Sequence, residues 1–240
     1  MIFVRSLLYF LAMVISVIVV GQTIALLGRF IRGDFSDVVA TNWGKFNLWL
    51  QRLICGLRYE IQGLENLPTS DPVIIMSKHQ SAWETISLRG IFRPQQSWVL
   101  KRELMQLPIF GWALGFAKSI PIDRAAGRRA IIEVVKQGIK RLEEGRYVII
   151  FPEGTRTDPG QRRKYGMGGG VLAERSGVPV IPVAHNAGVF WRRRGVKKYP
   201  GTIQVIIGSA ISSHGKKATE IMREVEDWIE ARQKELPNQI

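Results

Sequence analysis

Thiol and imidazole groups are scarce in this chain: 240 residues hold one cysteine, Cys55, and three histidines, His79, His185 and His214. A single cysteine excludes an intrachain disulfide and any Cys-based zinc site, and it fits a reducing compartment. No metal site is expected. No G-x-S-x-G elbow occurs, which removes the serine nucleophile of the α/β-hydrolases. There is no internal repeat and no low-complexity tract, so solenoid and disordered architectures are excluded. Acids are in short supply too, with 20 Asp and Glu against 34 Lys and Arg, for a net charge of +14. The excess is local: residues 101–200 hold 20 basic and 8 acidic side chains, against 9 and 6 in residues 1–100. A basic middle points to an anionic partner, whether phosphate-bearing substrate, anionic lipid surface or nucleic acid, with a plainly solvated surface as the alternative. The absence of any nucleic-acid reading motif argues against the last partner.

What is present begins with a long uncharged run. From Ser6 to Gly28 no charge occurs, and Leu, Ile, Val, Met and Phe dominate. As a helix, at about 1.5 Å per residue, that run is long enough for a hydrocarbon core about 30 Å thick. Arg5 flanks one end, Arg29 and Arg32 the other. No small-x-small cleavage site follows, so an uncleaved anchor is expected rather than a signal peptide. Gly21, Gln22 and Thr23 interrupt the run, and a second apolar stretch, Phe46 to Leu57, has the Trp and sparse polar residues of an interfacial helix. Spanning and monotopic insertion both remain open. Residues 1–56 read as membrane-anchoring helices and residues 57–240 as a separate catalytic domain. The basic bulk belongs on the cytoplasmic side, where positive charge is retained.

Past residue 57, strand-like runs alternate with helical ones. The strand-like runs are Leu57–Gln62, Val73–Ser77, Ser97–Lys101, Ser119–Ile122, Tyr147–Phe151, Val180–Ala184 and Ile203–Ile207, each short and bounded by Gly, Pro or polar residues. Arg128 to Glu144 sets Ile131, Val135, Ile139 and Leu142 on one helical face, and Ala218 to Leu236 does the same with Ile221, Val225, Trp228 and Ile229. Strand–helix alternation predicts an α/β fold: a mostly parallel central sheet flanked by helices, preceded by the membrane-associated helical segment.

The chemistry gathers at predicted strand ends. His79 follows the Val73–Ser77 strand, and Glu84 lies five residues on, in the first turn of the next helix. Such a carboxylate can hold the imidazole Nδ1–H and leave Nε2 to accept a proton. The Tyr147–Phe151 strand runs into Pro152, Glu153, Gly154, Thr155, Arg156 and Thr157. Gly154 permits close backbone approach, Arg156 can grip a phosphate bidentately, and the Thr155 and Thr157 hydroxyls can add hydrogen bonds. Lys101 and Arg124 stand at two further strand ends, and the apolar run Leu104–Phe116 is either ordinary core or the wall of a greasy channel. His185 and His214 read as structural or surface residues. Arg162 to Lys164, and Arg192 to Arg194 with Lys197 and Lys198, read as solvated, with anionic headgroups or coenzyme phosphates as the functional alternative. Trp191 beside them has the character of an interfacial anchor.

His79-Gln-Ser-Ala-Trp-Glu84, Lys101 to Gly111, Ile122-Asp-Arg124, Phe151-Pro-Glu-Gly-Thr-Arg156 and Val180-Ile-Pro182 resemble, in order and spacing, the four blocks of the glycerolipid acyltransferases. They are most like the bacterial 1-acylglycerol-3-phosphate acyltransferases. The resemblance implies transfer of a fatty acyl group from acyl-CoA or acyl carrier protein, with no further cofactor, to the free hydroxyl of lysophosphatidic acid, giving phosphatidic acid. It assigns His79 as general base and Glu84 as its orienting carboxylate. Lys101, Arg124, Glu153, Gly154, Thr155, Arg156 and Lys164 become substrate-binding residues, with Arg156 on the acceptor phosphate and Glu153 and Gly154 shaping the loop. The bacterial inner membrane is the implied location, and membrane lipids are the other partners. The same blocks fit acylation of glycerol 3-phosphate or another lysolipid, or a non-catalytic membrane lipid-binding protein. One departure stands out. The family's first block usually ends in Asp, whereas this chain has Glu84, which reaches one methylene further.

Overall fold

A computed structural model describes residues 1–28, 30–31 and 33–239; the flanking Arg29 and Arg32 lie outside the described residues. Two long helices come first, α1 (Ile2–Leu27) and α2 (Phe35–Cys55). Then follow β1 (Leu57–Gln62), β2 (Val73–Ser77), α3 (Trp83–Ile91), β3 (Gln96–Lys101), α4 (Phe110–Phe116), β4 (Ile120–Ile122) and α5 (Arg128–Glu143). The chain continues through β5 (Tyr147–Ile150), α6 (Gly168–Ser176), β6 (Val180–His185), α7 (Ala187–Phe190), β7 (Gly201–Ile207) and α8 (Ala218–Glu235).

The strands form one sheet in the order β1-β7-β6-β2-β5-β3-β4. All pairs are parallel except β6 with β7, so the sheet is mostly parallel, as the strand–helix alternation predicts. The central strands are apolar on both faces because both faces are covered. Val73 and Ile75 of β2 and Tyr147 and Ile149 of β5 point into one core, with α2 and α3 residues. Ile74, Met76, Val148 and Ile150 point into the other, with residues of α5, α6 and α8. Ile75 pairs with Ile149 of β5 and with Ile181 of β6, so the carboxyl ends of β2 and β5 lie side by side.

The two N-terminal helices share the first core rather than standing apart, with Tyr9, Leu48 and Leu50 buried in it. Gly21, Gln22 and Thr23 do not interrupt α1. The Thr23 hydroxyl donates to the carbonyl of Val19 (2.9 Å), and Gly21 lets Ile109 approach so closely that a Cβ would sit 3.0 Å from its Cγ2. Over its most apolar window α1 has a mean hydropathy of 2.5 and is long enough to cross a membrane. Leu7, Leu11, Ile15 and Ile18 are exposed on its outer side, as are Trp49 and Leu53 of α2 and Trp112 of α4. α2 begins at Phe35, well before the predicted apolar stretch, because its polar first turns are buried: the Asp37 carboxylate receives two hydrogen bonds from Arg146, of 2.6 and 2.7 Å.

Two surface assignments are corrected. Trp191 is not an interfacial anchor; it is buried edge-on against Tyr9, centroids 5.7 Å apart. Lys198 is not solvated. Its ammonium lies 4.6 Å from the Trp191 ring and 5.5 Å from that of Tyr9, a cation–π contact that pins the start of α1 to the body.

Candidate active site

β2 leaves the middle of the sheet at Ser77, and the next residues turn at its carboxyl end before α3 starts at Trp83. That turn carries His79. Glu84, in the first turn of α3 and fully buried, bends back so that Oε1 meets three donors: His79 Nδ1 at 2.8 Å, Gln80 N at 2.7 Å and Ser81 N at 2.7 Å. The extra methylene of Glu is taken up by this arrangement. Burial acts to raise the Glu84 pKa, but the His185 and His79 imidazoles and the Ser81 N–H outweigh it and hold the carboxyl below its usual range. With Nδ1 held as donor, no hydrogen bond occupies Nε2 among the described residues. Phe151 stacks on the imidazole with centroids 4.0 Å apart and planes at 15°, and Thr157 ties the His79 carbonyl to the next loop through its N–H (2.8 Å) and hydroxyl (3.2 Å).

The Phe151–Arg156 loop arrives beside His79 because β5 neighbours β2. Gly154 takes φ +68, the left-handed region that glycine adopts without strain, and its carbonyl accepts a hydrogen bond from the Arg124 guanidinium. Arg193 Nη1 donates to the carbonyl of Arg156 (2.6 Å), so the basic Arg192–Arg194 run braces this loop. Glu153 points inward. Its carboxylate meets the buried Lys78 ammonium at 3.2 Å and the His79 N–H at 3.4 Å, and Lys78 also meets Glu230 of α8 at 2.7 Å. Burial pushes the Glu153 carboxyl up to about 7 despite the pull of Lys78.

A cavity of about 550 Å³ opens at His79. Lys101, Arg124 and Arg156 line it together with Phe151, while Glu84 stands behind the imidazole. Most of its remaining wall is apolar, with Leu104, Phe110 and Leu114 from the segment read as either core or channel and Met13, Val17, Val20 and Ile24 from one side of α1; Thr85 and Arg89 of α3 are the polar exceptions. Glu153, Gly154, Thr155 and Lys164 do not line it. Glu153 is therefore a support beneath the loop rather than a contact surface, and the Thr157 hydroxyl is engaged by the chain itself. Lys164 is exposed. His185 is buried and structural: Nε2 donates to the Lys78 carbonyl (2.8 Å) and Nδ1 accepts from Ala187 N–H (3.3 Å), while burial lowers its pKa.

Sequence reasoning missed Lys78, Arg89, Trp98 and the α1 wall. The α1 residues recur at helical spacing and were findable; the charged ones carry no local signal of burial.

A carboxylate-held imidazole at the end of a central parallel strand, cations at the rim and a deep apolar cavity define an acyl-transfer enzyme built on an α/β sheet. A family model described as "Acyltransferase" matches residues 58–186, and the chain belongs to that family. It is 45% identical to the 1-acyl-sn-glycerol-3-phosphate acyltransferase of Pseudomonas aeruginosa, over 94% of this chain and 89% of that protein. It is 29% identical to the chloroplastic 1-acyl-sn-glycerol-3-phosphate acyltransferase of Arabidopsis thaliana, over 90% of this chain and 59% of that protein. The fold matches the crystal structure of the 1-acyl-sn-glycerophosphate acyltransferase from Thermotoga maritima with a TM-score of 0.78, covering 97% of this chain and 94% of that one at 22% identity.

Proposed function

We propose that this protein transfers a fatty acyl group from a thioester, acyl-CoA or acyl carrier protein, to the free hydroxyl of 1-acylglycerol 3-phosphate, giving phosphatidic acid. The observation that carries this reading is the junction at His79, where the Glu84-held imidazole meets a cation-rimmed mouth and an apolar cavity. The names of the relatives support the acceptor.

In the reaction the acceptor hydroxyl oxygen attacks the thioester carbonyl carbon while His79 Nε2 takes its proton. The C–S bond then breaks, the thiolate leaves, and the imidazolium returns the proton to it. General base action of this kind contributes typically ~10²–10⁴-fold. Glu84 fixes the tautomer and balances the charge that forms on the imidazole. Arg156, with Lys101 and Arg124 beside it, holds the acceptor phosphate, so the hydroxyl is delivered to the base by position rather than by collision. The acyl chain lies between Leu104, Phe110 and the α1 side chains. Cys55 is outside the cavity, which supports direct transfer without a cysteine acyl-enzyme.

Residues 1–56 anchor the enzyme, with α1 in the bilayer and the basic domain on the cytoplasmic face of a bacterial inner membrane. The test is an acyl-transfer assay on lysophosphatidic acid with each thioester donor. Turnover should be lost in His79→Ala while membrane binding persists; wild-type turnover in that variant would overturn the base assignment.

A further inference from the structure

Arg89 is the charged group that the proposed reaction leaves without a task. It sits in the last turn of α3, five residues beyond Glu84 and so about 7.5 Å further along the helix. A line of rings connects it to the base. His79 stacks on Phe151, Phe151 meets Trp98 with centroids 5.8 Å apart, and the Arg89 guanidinium lies 5.2 Å from the Trp98 ring. His79 and Arg89 therefore stand at the two ends of this line of rings, and both line the cavity. The residue is only 8% exposed.

Its charge has no dedicated partner. Asp37, the carboxylate whose charge acts on it, gives both oxygens to Arg146, and among the described residues the Arg89 guanidinium makes no hydrogen bond or ion pair. One carboxylate thus serves two guanidinium groups. Burial lowers the Arg89 pKa to about 10, with Asp37 opposing and Arg146 adding to the shift, so the side chain stays charged at neutral pH. Such a cation on the wall of a largely apolar cavity, removed from the base by the line of rings, keeps its donors satisfied only through water or a ligand oxygen.

We propose that Arg89 is a specificity-determining residue: its guanidinium limits how deep a plain hydrocarbon chain enters the cavity, and it accepts a chain end that carries oxygen. This rests on the reading above, in which the cavity takes the acyl chain. Methylene groups that reach the guanidinium displace its water and supply no acceptor, so each further carbon loses the gain it would have against an apolar wall. A hydroxyl at the same depth replaces the displaced water.

The test is kcat/KM on lysophosphatidic acid for a saturated acyl-CoA series from decanoyl to stearoyl, in wild type, Arg89→Met and Arg89→Lys. Methionine keeps much of the length and removes the charge. We expect the ratio of specificity constants, longer chains over the wild-type optimum, to rise about tenfold or more in Arg89→Met and to hold in Arg89→Lys. In wild type, an ω-hydroxyacyl-CoA of the first rejected length should regain activity, and Arg89→Met should lose that preference. Each ratio is taken within one variant, so a smaller folded fraction does not alter it. An unchanged chain-length profile in Arg89→Met, or no advantage for the hydroxylated chain, overturns the proposal. Failure of wild type to acylate lysophosphatidic acid with any chain overturns instead the function on which it rests.

Discussion

Glu84 concentrates three hydrogen bonds on one oxygen, and two of them come from the backbone of the turn that carries His79. The carboxylate therefore shapes the turn as well as holding the imidazole. In Glu84→Gln the oxygen survives but the negative charge is gone, so the imidazolium forms uncompensated. We expect kcat to fall about a hundredfold or more with KM little changed, in steady-state kinetics on lysophosphatidic acid. Turnover within twofold of wild type would rule out charge compensation by Glu84. Glu153 acts on stability. Its carboxyl is raised from the ordinary 4.5 to about 7, so the folded state holds a proton that the unfolded state has released. The stabilisation is complete below the unfolded value and disappears as pH rises through the folded one, at up to about 1.4 kcal/mol per pH unit. Between those two values, melting temperature should fall with rising pH in wild type relative to Glu153→Gln, a comparison that cancels the opposite slope of buried His185, whose pKa is lowered.

Among the elements, α2 and α3 cross at a point where a glycine stands on each helix. A Cβ on Gly44 would lie 2.4 Å from Gly90 N, and one on Gly90 would lie 2.5 Å from Lys45 N. The contact is backbone to backbone, so no side chain can yield. Gly90→Ala must push the helices apart, at a cost of about 1–3 kcal/mol. α2 supplies Ala40 and Trp43 to the cavity wall and Asp37 to Arg146, so the displacement reaches the acyl site. A lowered melting temperature with a raised KM for long acyl donors is the expected outcome, and an unchanged KM would separate the crossing from the cavity. The same logic explains Gly170 near the start of α6, where a Cβ would meet the Ala218 carbonyl of α8 at 2.6 Å.

For the whole molecule, two forces draw it to a membrane. The outer faces of α1, α2 and α4 offer exposed apolar side chains, and the net charge of +14 favours anionic headgroups. The first is insensitive to salt and the second is screened within about 10 Å at moderate ionic strength. Sedimentation with vesicles should therefore show binding to neutral and anionic lipid alike, with an anionic preference at low salt that raised salt removes. Complete release by salt would mean that the apolar face is not inserted.

How much of this was legible in the chain differs by the range of the interaction. β2 from Val73 to Met76 and the whole of β5 are apolar, so their burial on both faces could be read locally, and with it the placement of His79 and of the Phe151–Arg156 loop at strand ends. α5 and α8 declared themselves by helical spacing for the same reason. The start of α2 did not, because Asp37 looks like a surface residue until Arg146, 109 positions away, arrives to neutralise it. Lys198 sits in the same blind spot, since its aromatic partners come from both ends of the chain. So does Glu153, whose motif position suggests a ligand contact while Lys78 draws it inward. The sequence by itself determined the mostly parallel sheet and the meeting of His79 with Glu84, because strand–helix alternation and a five-residue spacing are local. Only the tertiary structure decided which charges are buried, what shares them, and that Arg89 is left to face the cavity alone, because charge compensation is settled between residues far apart in the chain.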